Sequence, residues 1–198
     1  FIESYFPLRI EHYATIPDSG GAGLHRGGNG LSVAYRFLCD GDVGIHDERW
    51  LTYPWGVLGG ETGKRSTKRL VRADGSEEWL PAKAEGIKVK VGDVLYFNTW
   101  GGGGWGDPLE REAELVRQDV ERRLVTAPGA SRYGVVIADN GTVDEGATIA
   151  LRQEMRSTRG PIEVFNRGGS IEELKARCLE ETHLPPPVDP SFKLGKTA

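Results

Sequence analysis

Hydrophobic and polar residues alternate along several short stretches of the first 100 residues. In residues 8–14 the alternation places Leu8, Ile10, His12 and Ala14 on one side of an extended chain, and this period of two predicts a half-buried strand. Similar stretches predict strands over residues 31–39, 43–45, 67–72, 78–80, 87–91 and 94–99. The Asp-Gly pairs between neighbouring stretches are typical of hairpin turns, so we expect one hairpin from residues 31–45 and another from residues 67–80.

The second half carries apolar residues at spacings of three and four, which indicates amphipathic helices. Each predicted helix begins with a side chain that can cap its N-terminus and a Glu placed to complete a capping box: Asp107 with Glu110, Thr142 with Glu145, and Ser170 with Glu173. The three helices extend to about residues 124, 157 and 182. A short buried strand is predicted over residues 133–138.

These patterns predict an α+β fold. Its N-terminal half is rich in β-strands and glycine-rich loops, and about three amphipathic helices with short strands follow. We expect residues 1–100 and 101–184 to form two segments of one domain. The prolines at positions 185–187 and 190 cannot continue a helix, so residues 185–198 are predicted to be an extended, proline-rich tail.

Composition and charge narrow the class of protein. The 198 residues are 38% hydrophobic and 27% charged, with a formal net charge of −4, so a globular protein is expected and a basic nucleic-acid surface is not. No apolar run approaches the ~20 residues needed to span a bilayer, and no membrane contact is expected. The two cysteines, Cys39 and Cys178, lie in no paired motif, which favours a reducing, cytoplasmic location.

Glycine accounts for 28 residues and is concentrated in clusters. Residues 101–107, Gly-Gly-Gly-Gly-Trp-Gly-Asp, run from a predicted strand into a predicted helix. Unpaired N–H groups at such a place favour an anion. The spacing matches no phosphate-binding motif, however, and a sharp turn beneath a packed Trp explains the same residues.

A second glycine cluster, residues 18–30, carries His25 and Arg26 between two predicted strands. The guanidinium could clamp a carboxylate and the imidazole could act as an acid or base. A flexible loop with two solvated side chains needs no function, and the residues taken alone favour that explanation. His46, Asp47 and Glu48 are adjacent and point alternately to opposite faces, so no metal site is expected within this chain. No Ser lies in a nucleophile elbow, and catalytic residues stay unknown.

The order of several motifs resembles the C-terminal region of the hydantoinase B/oxoprolinase family. Each motif is weak alone, but all of them occur in the family's order between about Phe6 and Met155. They are residues 5–11, 18–23, 25–30, 35–37, 54–60, 92–93, 101–108, 119–120 and 133–136. Members include N-methylhydantoinase, 5-oxoprolinase, caprolactamase and the related acetone and acetophenone carboxylases. The resemblance implies that this chain is the C-terminal part of a longer B-type polypeptide or a small subunit of such a complex.

The resemblance also implies cofactors and partners. ATP, with magnesium, is bound and cleaved by an A-type subunit to activate a small-molecule substrate, and a divalent metal lies on the N-terminal part of the B-type polypeptide. Neither cofactor is expected on this chain alone. The isolated chain is therefore expected to be inactive as a cyclic-amide hydrolase or carboxylase.

Two functions follow from these expectations. In the first, the chain forms one wall of a site that other chains complete, with His25, Arg26, Gly102, Gly103, Gly104 and Asp107 as substrate-binding residues because they lie on loops at the ends of elements. In the second, the chain is a noncatalytic assembly module. Its aromatic loop, residues 50–55, and its proline tail would then bind partner subunits.

Overall fold

The structure, a computed structural model, describes residues 1–188. Its helices are α1 (Ile2–Tyr5), α2 (Ala113–Glu121), α3 (Glu145–Thr158) and α4 (Ile171–Thr182). Single 3-10 segments cover Pro108–Glu110 and Pro128–Tyr133. The strands are β1 (Leu8–Thr15), β2 (Leu31–Phe37), β3 (Gly41–His46), β4 (Gly56–Val57), β5 (Thr67–Val71), β6 (Glu77–Leu80), β7 (Lys83–Val89), β8 (Val94–Asn98) and β9 (Phe165–Asn166). The predicted α+β class, with a strand-rich first half and later helices, is confirmed.

The first half is built from two antiparallel layers. Five strands form one sheet in the order β1-β2-β8-β5-β6, and β3 pairs with β7 in a second sheet. The predicted hairpin of residues 67–80 is confirmed as β5–β6. The hairpin predicted for residues 31–45 is wrong, because β1 and β8 occupy both edges of β2 and leave β3 to pair elsewhere.

The core of this half combines apolar side chains with one buried ion pair. Five buried residues form its hydrophobic cluster: Ile45, Leu70, Leu80, Val89 and Leu95. Lys68, which is 1% exposed, contacts the carboxylate of Asp47 and lies 3.2 Å from the hydroxyl of Ser66. Burial lowers the pKa of Lys68, and Asp47 opposes that change. The pair ties β5 to the end of β3 because neither charge can reach water.

The helical half departs from its predicted boundaries at two points. Asp107 caps as predicted, since its carboxylate accepts from the Leu109 N–H, but only a 3-10 turn follows. The backbone extends at Arg111, whose guanidinium reaches back to Leu24 and Asp119, and α2 begins afresh at Ala113. The strand predicted over residues 133–138 is wrong because Gly134 adopts a left-handed conformation, with φ of 61°.

The later helices agree better with the sequence patterns. The N-cap of α3 is Asp144 rather than Thr142, a shift of two residues. The capping box of α4 forms as predicted, with Ser170 and Glu173 each bonded to the other's backbone N–H. Residues 185–188 contain no helix or strand, and residues 189–198 of the predicted tail lie outside the described residues. Within residues 1–188, no helix is long and apolar enough to cross a bilayer.

Candidate functional site

Three glycine-rich segments that are far apart in sequence pack backbone against backbone. Residues 19–30, 56–63 and 101–106 are joined by N–H···O=C bonds of 2.7–3.2 Å that lie outside the regular strand pairings. The bonds include Gly21 N to Gly102 O, Gly102 N to Gly28 O, Gly104 N to Glu61 O, and Glu61 N to Ala22 O. We call these three segments the glycine core.

Glycines three residues apart occur in each of the three segments, in the pairs 20/23, 27/30, 60/63 and 101/104. A Cβ built on Gly104 would lie 2.0 Å from the Ala22 carbonyl oxygen, and one on Gly103 would lie 1.7 Å from that of Trp55. Backbone approaches this close leave room only for glycine.

The glycine core presents a row of exposed side chains on one face. His25 pairs with Trp105, Trp105 with Val57, and Val57 with Phe165, so four segments lie side by side. Cross-strand partners in register point to the same face of a sheet. The rings of His25 and Trp105 are 5.3 Å apart between centroids, and Trp105 and Phe165 are 45% and 53% exposed.

Trp55 extends this row, two residues before Val57. Its ring meets Phe165 edge to face at 6.2 Å between centroids and is 43% exposed. The guanidinium groups of Arg167 and Arg49 lie 4.9 and 6.0 Å from its centroid. Neither arginine forms an ion pair within residues 1–188. We call His25, Trp55, Val57, Trp105 and Phe165 the aromatic face.

Arg26, beside His25 in the sequence, is directed into the protein. Its guanidinium donates to the Gly27 carbonyl at 2.7 Å and to Asn29 Oδ1 at 3.1 Å, and its Nε lies 3.3 Å from Asp119 Oδ2. Asp119 also pairs with Arg111. Arg26 therefore ties the second glycine cluster to α2, while the His25 side chain is exposed.

The remaining predicted site residues also make internal contacts. The N–H groups of Gly102 and Gly104 are bonded within the glycine core, and Gly103 is half-buried between them. Asp107 caps the 3-10 turn and pairs with Arg159 at 2.6 Å. The structure thus brings all six residues to one region, with His25 alone holding an exposed side chain. Whether any of them contacts substrate stays a prediction.

Sequence patterns did not indicate the aromatic face as a unit. Trp105 and Trp55 lie in motifs that stand out in the sequence, whereas Phe165 lies in a segment without a strand pattern and joins through β4–β9 pairing. Within the predicted aromatic loop, Trp50 and Tyr53 are buried at 7% and 6% exposure, which leaves Trp55 as the aromatic residue of that loop on the surface. The clusters of glycine were the available sequence signal for this region.

The described residues include no group of three or more His, Cys, Asp or Glu side chains that could hold a metal ion. His46 contacts Glu85 on the surface, and its neighbour Asp47 is engaged with Lys68. These residues do not provide the ligand set of a metal centre.

The chain belongs to the hydantoinase B/oxoprolinase family, whose model matches residues 1–108. It is 36% identical over 158 residues to the beta chain of the caprolactamase of Pseudomonas jessenii, covering 76% of this chain and 27% of that one. It is 32% identical over 154 residues to the B-type chain of a putative D-/L-hydantoinase of Pseudomonas sp. (strain NS671), covering 77% of this chain and 26% of the relative.

Two solved structures share the fold of this chain. The crystal structure of the ATP-dependent caprolactamase from Pseudomonas jessenii matches with a TM-score of 0.66 and 33% identity, over 76% of this chain and 27% of that one. The nucleotide-free structure of an ATP-dependent acetone carboxylase shares the fold, with a TM-score of 0.65 and 22% identity over 80% of this chain and 26% of that one. This chain therefore matches about a quarter of the length of these relatives.

Proposed function

We propose that this chain is the C-terminal part or small subunit of an ATP-dependent amidohydrolase of the hydantoinase/oxoprolinase type, or of a related ketone carboxylase. Its aromatic face lines a site that other chains complete. The observation that carries this proposal is the row of exposed side chains on the glycine core, in a chain that matches only about a quarter of the length of its relatives. A rigid backbone support under exposed His and Trp side chains is what a substrate-facing wall requires.

The proposed roles differ among the six residues. His25 holds a carbonyl or anionic group of the substrate, because its imidazole is exposed and backed by the Trp105 ring. Gly102, Gly103 and Gly104 let the segments approach closely and so fix the position of Trp105. Arg26 and Asp107 hold the two ends of this arrangement through Asp119 and Arg159.

Other chains supply the chemistry in this proposal. ATP and magnesium are held by an A-type subunit, and the N-terminal part of the B-type polypeptide carries a divalent metal. The small-molecule substrate reaches the wall in the cytoplasm, which agrees with the free thiols of Cys39 and Cys178.

An alternative function, a noncatalytic assembly module, is favoured by a different observation. Trp55 and Phe165 are half exposed, and two arginines without ion pairs within residues 1–188 flank the Trp55 ring. Trp and Arg are among the residues most enriched at the energetic centres of protein interfaces. In this function the whole aromatic face is covered by a partner chain.

Two substitutions in the assembled enzyme, purified from its natural source, separate the functions. The assays are ATP-dependent ring opening of hydantoin, oxoproline and lactam substrates, ATP-dependent carboxylation of ketones, and the size of the complex. If the face lines the site, His25→Ala lowers kcat/KM about tenfold and leaves the complex intact, since it removes about one hydrogen bond to the substrate. If the face is an assembly surface, Trp105→Ala dissociates the complex.

The matched control is Tyr13→Ala on β1, which removes an aromatic side chain that is 63% exposed away from this face. The control should change neither assay. Unchanged kcat/KM in His25→Ala would contradict the substrate wall, whatever Trp105→Ala does.

A further inference from the structure

A cavity of about 460 Å³ lies beside the segment of residues 62–65. The glycine core, β5, the end of β8 and α4 form its walls. Residues from each wall include Ser19, Lys64, Thr67, Thr99, Arg177 and Glu181. Its volume is within the range of small-molecule sites. The cavity shares no residue with the aromatic face, so a ligand bound in it is independent of the proposed function.

A fully bonded polar network forms one wall. Arg65 Nε lies 2.5 Å from Glu181 Oε2, and the Tyr53 hydroxyl accepts from Arg65 at 2.6 Å and donates to Glu181 Oε1 at 2.5 Å. Arg65 also donates to the carbonyl of Trp50 at 2.8 Å, and its side chain is 2% exposed. Burial raises the pKa of Tyr53, as does the carboxylate of Glu181. This wall is rigid, and both carboxylate oxygens of Glu181 are already engaged.

Two further groups of the cavity, Lys64 and Arg177, are cations without a carboxylate partner in the described chain. Lys64 is exposed at its rim and forms no ion pair or side-chain hydrogen bond within residues 1–188. Arg177 gives one N–H to the Gly168 carbonyl and stacks 5.1 Å from the Tyr53 ring, with no ion pair in the described chain. Its charge contributes to lowering the pKa of Glu173, after the hydrogen bonds from Ser170.

The threonine hydroxyls point to the same kind of ligand. Thr67 accepts from Asn98 Nδ2 at 3.2 Å and Thr99 accepts from the Leu31 N–H at 2.8 Å. Each hydroxyl therefore retains a proton to donate. Three cations, Lys64, Arg65 and Arg177, face one carboxylate, Glu181, so the lining carries two excess positive charges.

We propose that this cavity binds a small oxyanion, the carboxylate or phosphate group of a small molecule, between Lys64 and Arg177. Its oxygens accept from the Lys64 ammonium, the Arg177 guanidinium and the threonine hydroxyls. The Tyr53–Arg65–Glu181 network holds Arg177 in place by presenting the Tyr53 ring for stacking. Acceptor-rich anions fit because the lining offers charged donors and has no free carboxylate to repel them.

The test is a titration of the purified chain with glutarate in one series and inorganic phosphate in another, followed by calorimetry and by backbone amide NMR. Binding should shift the amide signals of residues 62–65 and 99. Lys64→Ala and Arg177→Ala should each weaken binding about tenfold or more, because each removes a charge-assisted hydrogen bond. Lys88→Ala is the control, since Lys88 is a comparable exposed cation paired with Asp42 on the other sheet.

The pattern of binding identifies the anion. Binding of glutarate alone indicates a carboxylate ligand, binding of phosphate alone indicates a phosphorylated one, and binding of both indicates a site for either oxyanion. If neither anion binds at a concentration about 20-fold above the Kd of a ~1 mM site, the proposal is overturned. It is equally overturned if Lys88→Ala weakens binding as much as Lys64→Ala and Arg177→Ala do.

Discussion

Replacing Gly104 by Ala tests the glycine core at one of its crowded points. The added Cβ would lie 2.0 Å from the Ala22 carbonyl oxygen and 2.6 Å from its carbon, so the two backbones must separate by about 1 Å to reach even 3.0 Å. That movement strains two bonds of Gly104, from its N–H to Glu61 (2.9 Å) and from Val57 N to its carbonyl (3.0 Å). The three atoms nearest to the added Cβ all belong to the backbone, so no flexible side chain can move aside to relieve the contact.

The magnitude follows from these contacts. Overpacking a close contact costs roughly 1–3 kcal/mol, and each buried backbone group left unpaired costs about 1–3 kcal/mol more. We expect Gly104→Ala to lower the free energy of unfolding by roughly 3–6 kcal/mol, a large share of the ~5–15 kcal/mol typical of a domain. Gly28→Ala is the matched control, because a Cβ there meets nothing within 4 Å and its φ is not in the left-handed region.

The assay is urea unfolding followed by the fluorescence of the five Trp residues. Gly28→Ala should change the unfolding free energy by less than about 1 kcal/mol. Gly102→Ala should fall between the two, since its Cβ would lie 3.1 Å from Gly28 N, and it keeps the series informative if Gly104→Ala does not fold. Equal midpoints for Gly104→Ala and Gly28→Ala would refute the close-packing explanation.

Three further predictions concern buried polar groups. Lys68→Met alone should lower the unfolding free energy by about 3–5 kcal/mol, because it strands Asp47 as a buried charge, and the double variant with Asp47→Leu should recover most of that loss in the same urea assay. The pKa of Asp93 is lowered overall: burial raises it, but the N–H groups of Lys90 and Ala73 and the Arg72 guanidinium outweigh burial. The pKa of Asp93 is thus lower in the folded than in the unfolded chain, so its carboxylate stabilises the fold above about pH 4, and this stabilisation is lost as the pH falls through the folded pKa. The melting temperature of Asp93→Asn should therefore converge with that of the parent chain in acid. A difference that stays constant with pH would contradict this. The Tyr133 hydroxyl is buried with no hydrogen-bond partner in the described structure, and burial raises its pKa to about 12. Tyr133→Phe should therefore leave the unfolding free energy unchanged or raise it by up to about 1 kcal/mol. A loss above about 1 kcal/mol would indicate a bonded hydroxyl.

Local signals predicted the parts of the fold that depend on neighbouring residues. The capping box of Ser170 and Glu173 positions α4, and the Asp107 cap is in place, because both are hydrogen bonds between residues close in sequence. The β5–β6 hairpin follows for the same reason. These features require no knowledge of what packs against them.

Predictions failed where distant residues decide the outcome. The helix predicted from residue 107 to about residue 124 breaks at Arg111, since its side chain bonds Leu24 and Asp119 from an extended backbone. The strand β3 pairs with β7 rather than β2, because the much later strand β8 occupies the edge of β2. Neither the contacts of Arg111 nor the position of β8 can be read from the local sequence pattern.

The candidate site lies between these extremes. Clustered glycines at residues 101–106 indicated a sharp backbone turn. Within residues 101–106, only Gly106 has a positive φ, of 76°, and the other glycines are required by close approach to another segment. His25 and Trp105 could be selected from their loops, but their alignment with Phe165 depends on pairing that the sequence pattern does not encode.

The native mass of the particle that contains this chain, purified from its natural source, tests the central claim most directly. If the aromatic face is one wall of a composite site, the chain will be found in a larger particle with an ATP-binding subunit and the remaining B-type sequence. A stable particle of 21.7 kDa, the mass of this chain alone, would contradict that account.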